Sequence, residues 1–181
     1  MKNHLREGCW KMAINQISID ELAEEEKETV RKLLVESYQQ YEHEYNNAQV
    51  WEEYLTNIKA SVDNPDVEKI LIAKSEDKIL GTLQLFSSSD KAYQRPELQI
   101  SSPIIRLLAV HPDARGRGIA QELLKAGLQY ARSQGVKQLY LHSGDKMQRA
   151  IRLYEWFGFK RDHAKEFFNN EILVKCYRYD L

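Results

Sequence analysis

The sequence predicts an α/β protein, a mixed β-sheet flanked by helices, and three observations carry that prediction. Short apolar runs alternate with longer stretches whose apolar residues recur at helical spacing. One such run, Ile104 to Val110, leads through a glycine-bearing turn into an amphipathic stretch and then another apolar run, the order of a right-handed parallel crossover. The 181 residues, 43% hydrophobic, suffice for one well-buried domain, and no linker-like tract divides them.

Residues Met1 to Met12 carry little pattern and read as an N-terminal extension, so the domain is expected over Ala13 to Leu181. Alternation across Ala13 to Ile19 suits a first strand. Ser18 or Asp20 can cap the next helix, and the acidic run Glu21 to Glu28 fits its N-terminal end as a solvated face. Val30, Leu33, Leu34, Tyr38 and Tyr41 form one helical stripe, and Trp51, Tyr54, Leu55 and Ile58 a second after Asn46-Asn47. Asp63-Asn64-Pro65-Asp66 is a turn signal. Lys69 to Ala73 and Ile79 to Phe86 then read as a hairpin around Glu76-Asp77. Ser87 to Ser101, polar and containing Pro96, reads as a loop of a length that is often functional or mobile.

The strand from Ile104 is closed by Pro112. Ile119, Leu123, Leu124, Leu128 and Ala131 then recur at helical spacing, with Gly135 as the C-terminal cap. A helix beginning near Gly118 leaves its first backbone N–H groups without partners and carries partial positive charge there. Gly116 and Gly118 let a ligand approach the backbone, so the turn reads as an anion cradle, with a plain strand-turn-helix as the competing reading. Two nucleotide motifs fail. Gln121 stands where the dinucleotide pattern needs a third glycine, and the Gly-Lys-Ser/Thr ending of the triphosphate loop is absent. Downstream, Gln138 to His142 suits a strand, and Ala150, Ile151, Tyr154 and Phe157 line a helix ended by Gly158. Phe159 to Arg161 and Ile172 to Tyr179 supply the closing strands.

Lys plus Arg total 26 against 27 Asp plus Glu, which argues against a dominant nucleic-acid or anionic-membrane surface. Cys9 and Cys176 form no metal-ligand spacing with the five histidines, so no metal is expected and a reducing cytoplasm fits best. Neither a signal peptide nor a membrane-spanning run is visible, and a soluble cytoplasmic protein is expected.

Two segments in order carry a resemblance. Arg115-Gly116-Arg117-Gly118-Ile119-Ala120 resembles the Gln/Arg-x-x-Gly-x-Gly/Ala signature of GCN5-related N-acetyltransferases, the GNAT family, and Ala150 to Phe159 resembles that family's A-x-x-L-Y-x-x-x-G-F segment. The resemblance implies the GNAT fold and acetyl-CoA as cosubstrate. The activity it implies is transfer of the acetyl group to a primary amine of a small molecule or peptide by direct attack. It further implies that the turn amides from Arg115, Gly116, Arg117, Gly118, Ile119 and Ala120 hold the pyrophosphate. Leu108 and Val110 would pair with the pantetheine arm through backbone groups, and Tyr154 would act as general acid to the CoA sulfur.

Each residue also has a plainer reading: core packing for Leu108 and Tyr154, solvated charge for Arg115 and Arg117. His111 reads as structural and Cys176 as a packed strand residue rather than an acyl carrier. Reference phenol and thiol pKa values differ by about 1.5 units, so full proton transfer from Tyr154 to a free thiolate is uphill by roughly 2 kcal/mol. A lysine-like amine is neutral in only about one molecule in 2,500 at pH 7, a deficit of roughly 4.6 kcal/mol. Glu36, Glu42, Glu44 and Glu97 are the carboxylates nearest the segments that wall the acceptor site in this family, and none has diagnostic spacing, so the base is unassigned. The set Glu36, Tyr38, Tyr41, Glu42, Glu44, Tyr45 and Trp51 would suit a cationic acceptor, though packing of two helices explains it as well. Met147 stands where the family often has Asn and cannot supply the amide donors. A noncatalytic acyl-CoA sensor is the alternative reading and another phosphate ligand a third; the acceptor is undetermined and the oligomeric state open, a homodimer included.

Overall fold

The computed structural model describes residues 16–169 and 171–181. The expected N-terminal extension, Cys9 and the first three residues of the expected first strand lie outside the described residues. Eight strands form one mixed sheet: β1 (Ser18–Glu21), β2 (Lys69–Ser75), β3 (Lys78–Phe86), β4 (Ile104–Val110), β5 (Gln138–Gly144), β6 (Lys160–Arg161), β7 (Phe167–Asn169) and β8 (Ile172–Asp180). Their order is β1-β2-β3-β4-β5-β8-β6, with β7 also paired to β8. Every pairing is antiparallel except β4 with β5, which are joined by a helical crossover.

Five helices accompany the sheet among the described residues: α1 (Lys27–Tyr38), α2 (Ala48–Ala60), α3 (Ser89–Tyr93), α4 (Ile119–Ser133) and α5 (Gln148–Phe157). The stripes settle their sides. Val30, Leu33 and Leu34 of α1 and Ile58 of α2 pack on Ile70, Ile72 and Ala109. Ile119, Leu123, Leu124, Leu128 and Ala131 of α4, with Ile151 and Tyr154 of α5, join a cluster containing Leu83, Leu85, Ile105, Leu139 and Leu141. Each large apolar side chain so buried stabilises by about 1.5–3 kcal/mol.

Three expectations are corrected. Ser18 and Asp20 lie in β1, where the Ser18 hydroxyl donates to the Asp20 carboxylate at 3.0 Å, so neither caps a helix. Instead Ala23 N–H donates to the Glu26 carboxylate at 3.1 Å, in a short 3₁₀ turn before α1. Tyr41 falls in a second 3₁₀ turn, Gln39–Glu44, beyond the end of α1. The segment read as a polar loop contains α3 and buries Ala92, Leu98 and Ile100 against Phe86, Ile104, Tyr140 and Cys176, so it is packed structure. Strand β7 was not expected; it forms a hairpin with β8 by pairing Phe167 with Val174.

Candidate active site

The site begins with an irregularity in β4. Gln84 faces Arg106 and Thr82 faces Ala109, so Leu83 alone stands opposite Leu107 and Leu108, a two-against-one bulge. Leu107 takes up the distortion with φ of +48°, a conformation that disfavours branched side chains. The bulge also breaks the alternation of faces. Leu107 packs with the α1 and α2 cluster and Leu108 with the α4 cluster, whereas Arg106, one residue earlier, lies over Phe86 and Tyr93 near the third cluster. Pairing of β4 with β5 stops just before it, at Ile104 with Tyr140 and Ile105 with Leu141. His111 N–H donates to Leu80 of β3 at 2.8 Å, so by strand alternation the N–H groups of Leu108 and Val110 face the opened side. The Val110 carbonyl on that side accepts from the Ser37 hydroxyl at 3.1 Å.

A cavity of about 440 Å³ occupies this opening. Of the residues singled out in the sequence, Leu108, Val110, Arg115, Gly116, Gly118, Ile119, Ala120, Met147 and Tyr154 line it together. Gly116 and Gly118 have φ of +75° and +80°, which explains glycine at both, and Gly118 is the N-cap of α4 without a side-chain cap. The first N–H groups of α4 therefore open onto the cavity. Arg115 and Arg149 are the only charged residues lining it among the described residues, so its electrostatics favour an anion. Arg115 donates to the Ser37 carbonyl at 3.2 Å and so ties the turn to the end of α1.

Tyr154 is buried in α5, its ring 6.2 Å from Phe159 and 6.3 Å from Tyr177. Burial, with Tyr41 and Tyr93 adding to it, pushes its phenol well above the ordinary value. It is therefore a neutral hydroxyl at physiological pH. Tyr38 and Tyr41 line the same cavity, whereas Tyr45 and Trp51 pack with Tyr54 at 5.3 and 5.8 Å between ring centres. The packing reading thus holds for the second pair, and Tyr38 does both, its ring 6.2 Å from Tyr54 of α2 while it also lines the cavity.

Several candidates are not brought to this cavity. Arg117 lines a separate cavity of about 380 Å³ with Glu36, Asp77 and His111. His111 accepts from Asp113 N–H at Nδ1, 3.2 Å, and its Nε2 lies 3.0 Å from Glu36, so it holds the turn. Glu42 accepts from Gln39, and Glu97 pairs with Arg95 at 3.2 Å; no carboxylate of the described residues lines the main cavity. Cys176 is fully buried, and burial with Asp162 and Glu166 nearby pushes its thiol up, away from the reactive thiolate. Among the described residues no cluster of three metal-ligating side chains occurs, and no helix is long and apolar enough to cross a membrane.

Sequence reasoning missed Ser37 and Arg149, which line the cavity and leave no local signal in the sequence.

Residues 27–159 match the acetyltransferase (GNAT) family model. Human N-acetyltransferase 8B is 33% identical over 90 residues, which are 50% of this chain and 37% of that protein. Human N-acetyltransferase 8 is 29% identical over 120 residues, 61% of this chain and 50% of that one; the chain thus spans half or less of these relatives. In fold it is similar to the PaiA N-acetyltransferase of Thermoplasma acidophilum in complex with coenzyme A, with a TM-score of 0.67 and 17% identity over 91% of this chain and 99% of that one. It is also similar to a GNAT acetyltransferase of Elizabethkingia anophelis with acetyl-CoA bound, with a TM-score of 0.59 and 17% identity over 92% and 99%. With the family model matched from α1 through α5 and a sheet opened at β4 and β5, the chain belongs to the GNAT acetyltransferase family.

Proposed function

We propose that the chain is an acetyl-CoA-dependent N-acetyltransferase acting on a primary amine by direct attack. One observation carries the reading: the glycine turn, the open backbone edge of β4 and the Tyr154 phenol converge on one cavity whose only charges, among the described residues, are two arginines. Backbone N–H groups at Gly116 to Ala120, with the Arg115 side chain, would hold the pyrophosphate. The free N–H groups of Leu108 and Val110 would pair with the pantetheine amides. Because Arg117 lines the other cavity, its contribution is limited to its backbone.

Acetyl-CoA supplies the activated acyl group. The amine forms a C–N bond to the acyl carbon, the C–S bond breaks, the electron pair leaves with sulfur, towards which Tyr154 donates its O–H, and the proton shed by the attacking nitrogen goes to solvent. Burial raises the phenol, but it raises a thiolate in the same cavity as well, as the Cys176 thiol illustrates. The cost of transfer is set by the difference between the two, so Tyr154 need not be acidic in absolute terms.

Calorimetry with acetyl-CoA, paired with an assay of free thiol over a panel of amines and peptides, tests the reading. Tyr154→Phe is expected to lower kcat by about 10²-fold while acetyl-CoA affinity stays within about threefold. Unchanged turnover would remove the acid role. Met147 on the cavity wall, without an amide to donate, favours the second reading, an acyl-CoA sensor. That reading requires binding without turnover, and any measured turnover rejects it.

A further inference from the structure

Ser37 holds a core position that is ordinarily apolar. It shares the buried stripe of α1 with Val30, Leu33 and Leu34 and is 3% exposed. A hydroxyl taken out of water needs a partner, and Ser37 Oγ donates to the Val110 carbonyl at 3.1 Å. Its own carbonyl lies at the end of α1, where helix carbonyls lack intrahelical donors, and accepts from the Gln40 side chain at 2.7 Å and from Arg115 at 3.2 Å. All four of these residues line the main cavity. Thr82 and Ser89, also buried, bond through their hydroxyls with the Leu71 carbonyl and the Ile100 N–H, and neither Leu71 nor Ile100 lines it.

The Val110 carbonyl belongs to an edge that has lost its strand partner. Among the described residues β4 pairs with β5 only at Ile104 and Ile105, so beyond the bulge that edge carries no ladder. On its other edge Val110 stays in register with Gly81 of β3. Ser37 therefore stands in for the missing strand at the far end of the opening. Glu36, the residue before it, lies 3.0 Å from His111 Nε2, the residue after Val110. Two consecutive residues of α1 thus fasten two consecutive residues at the end of β4, one holding the turn and the other the open edge.

Resting on the reading of this cavity as an acetyl-CoA site, we propose that Ser37 is a positioning residue for the pantetheine arm, its hydroxyl holding the Val110 end of the open β4 edge where the amides of the arm pair with it. It touches no reacting atom. An edge already held in the free protein leaves less to be ordered when the arm docks, which lowers the cost of binding. A carbonyl has two lone pairs, so Val110 can accept from Ser37 and from a pantetheine N–H together. For stability alone alanine would serve at this position, since it is a better helix former and has no hydroxyl to bury. What alanine lacks is a donor for Val110.

The test titrates the full chain by calorimetry with two ligands: acetyl-CoA, and 3′-phosphoadenosine 5′-diphosphate, which keeps the phosphates and lacks the arm. Ser37→Ala is expected to weaken acetyl-CoA binding about fivefold and to leave the diphosphate within about twofold, with the melting temperature within about 4 °C of wild type. Ser37→Thr, which retains the hydroxyl, should recover acetyl-CoA affinity to within about twofold. Ser37→Cys, close in size but a weak donor, should behave as the alanine variant does, and it decides the comparison if that variant does not fold. With any amine that releases CoA, the acetyl-CoA KM should rise in Ser37→Ala while kcat stays within about threefold. Unchanged acetyl-CoA affinity, equal loss for both ligands, or a fall in kcat at unchanged KM overturns the proposal. Acetyl-CoA binding that weakens in Ser37→Ala, without turnover of any amine by the wild type, sinks the N-acetyltransferase reading and leaves the role of Ser37 standing. Absence of acetyl-CoA binding by the wild type overturns both.

Discussion

Burial decides the charge state of His142 and, through it, part of the acid stability of the molecule. The ring sits against Tyr93 at 4.9 Å and Phe167 at 5.4 Å, its Nε2 lies 3.0 Å from the Lys165 carbonyl, and its Nδ1 has no partner. Desolvation lowers its pKa to about 4; Arg106 acts in the same direction, while the Lys165 carbonyl, Asp162 and Glu166 oppose. Between about pH 6.5 and 4 the unfolded chain binds a proton that the native chain does not, so stability falls as pH falls through that window. The size is roughly 3 kcal/mol for a shift from the ordinary value to about 4. His142→Phe keeps the aromatic packing and removes the titration, so its unfolding free energy measured by denaturant should be flatter over this range. An unchanged slope would assign the acid sensitivity elsewhere. His142 was legible in the sequence only as a strand residue, because its burial comes from Tyr93 and Phe167, distant in the chain and absent from any local pattern.

Two glycines set how closely α4 approaches the sheet, and they differ in what surrounds them. A Cβ at Gly81 of β3 would lie 2.9 Å from the Ala109 carbonyl and 2.9 Å from Ile119 Cγ2, in the first turn of α4. A Cβ at Gly127 would meet Ile105 Cδ1, the end of a flexible side chain, also at 2.9 Å. Gly81→Ala must displace backbone and should cost about 1–3 kcal/mol, while pushing the start of α4 out of line and weakening acetyl-CoA binding. At Gly127→Ala the helix preference of alanine, about 1 kcal/mol, offsets much of the crowding, and acetyl-CoA affinity should not change. Thermal melts and calorimetry on both variants check the contrast; equal effects on affinity would show that the position of α4 does not control the cradle. At this scale the sequence was most informative. Apolar spacing along Ile119 to Ala131 and the short runs of β3, β4 and β5 report burial directly, so those elements fell where expected. The bulge did not, because two-against-one pairing depends on the partner strand, and nothing in the Leu107-Leu108 pair distinguishes it from regular strand.

Across the whole molecule opposite charges nearly cancel, yet their distribution is uneven: Glu24, Glu26 and Glu28 pair with Lys27, Lys74 and Arg31, while among the described residues the cavity keeps only Arg115 and Arg149 as charges. This separation favours an anionic cosubstrate and leaves the acceptor amine without a carboxylate base on the cavity wall. An amine entering as ammonium must then lose its proton to solvent before attack, and only the neutral fraction reacts. For each acceptor, log kcat/KM should rise with a slope near one as pH rises, and level off at the pKa of that amine. His142, neutral above about pH 4, cannot add an inflection near neutrality. Measured over two amines whose own pKa values differ by a unit or more, the plateau should move with the acceptor. A plateau at one fixed pH for both would instead reveal a base belonging to the protein, reached through water from outside the lining, and the carboxylates near α1 would be the first to substitute.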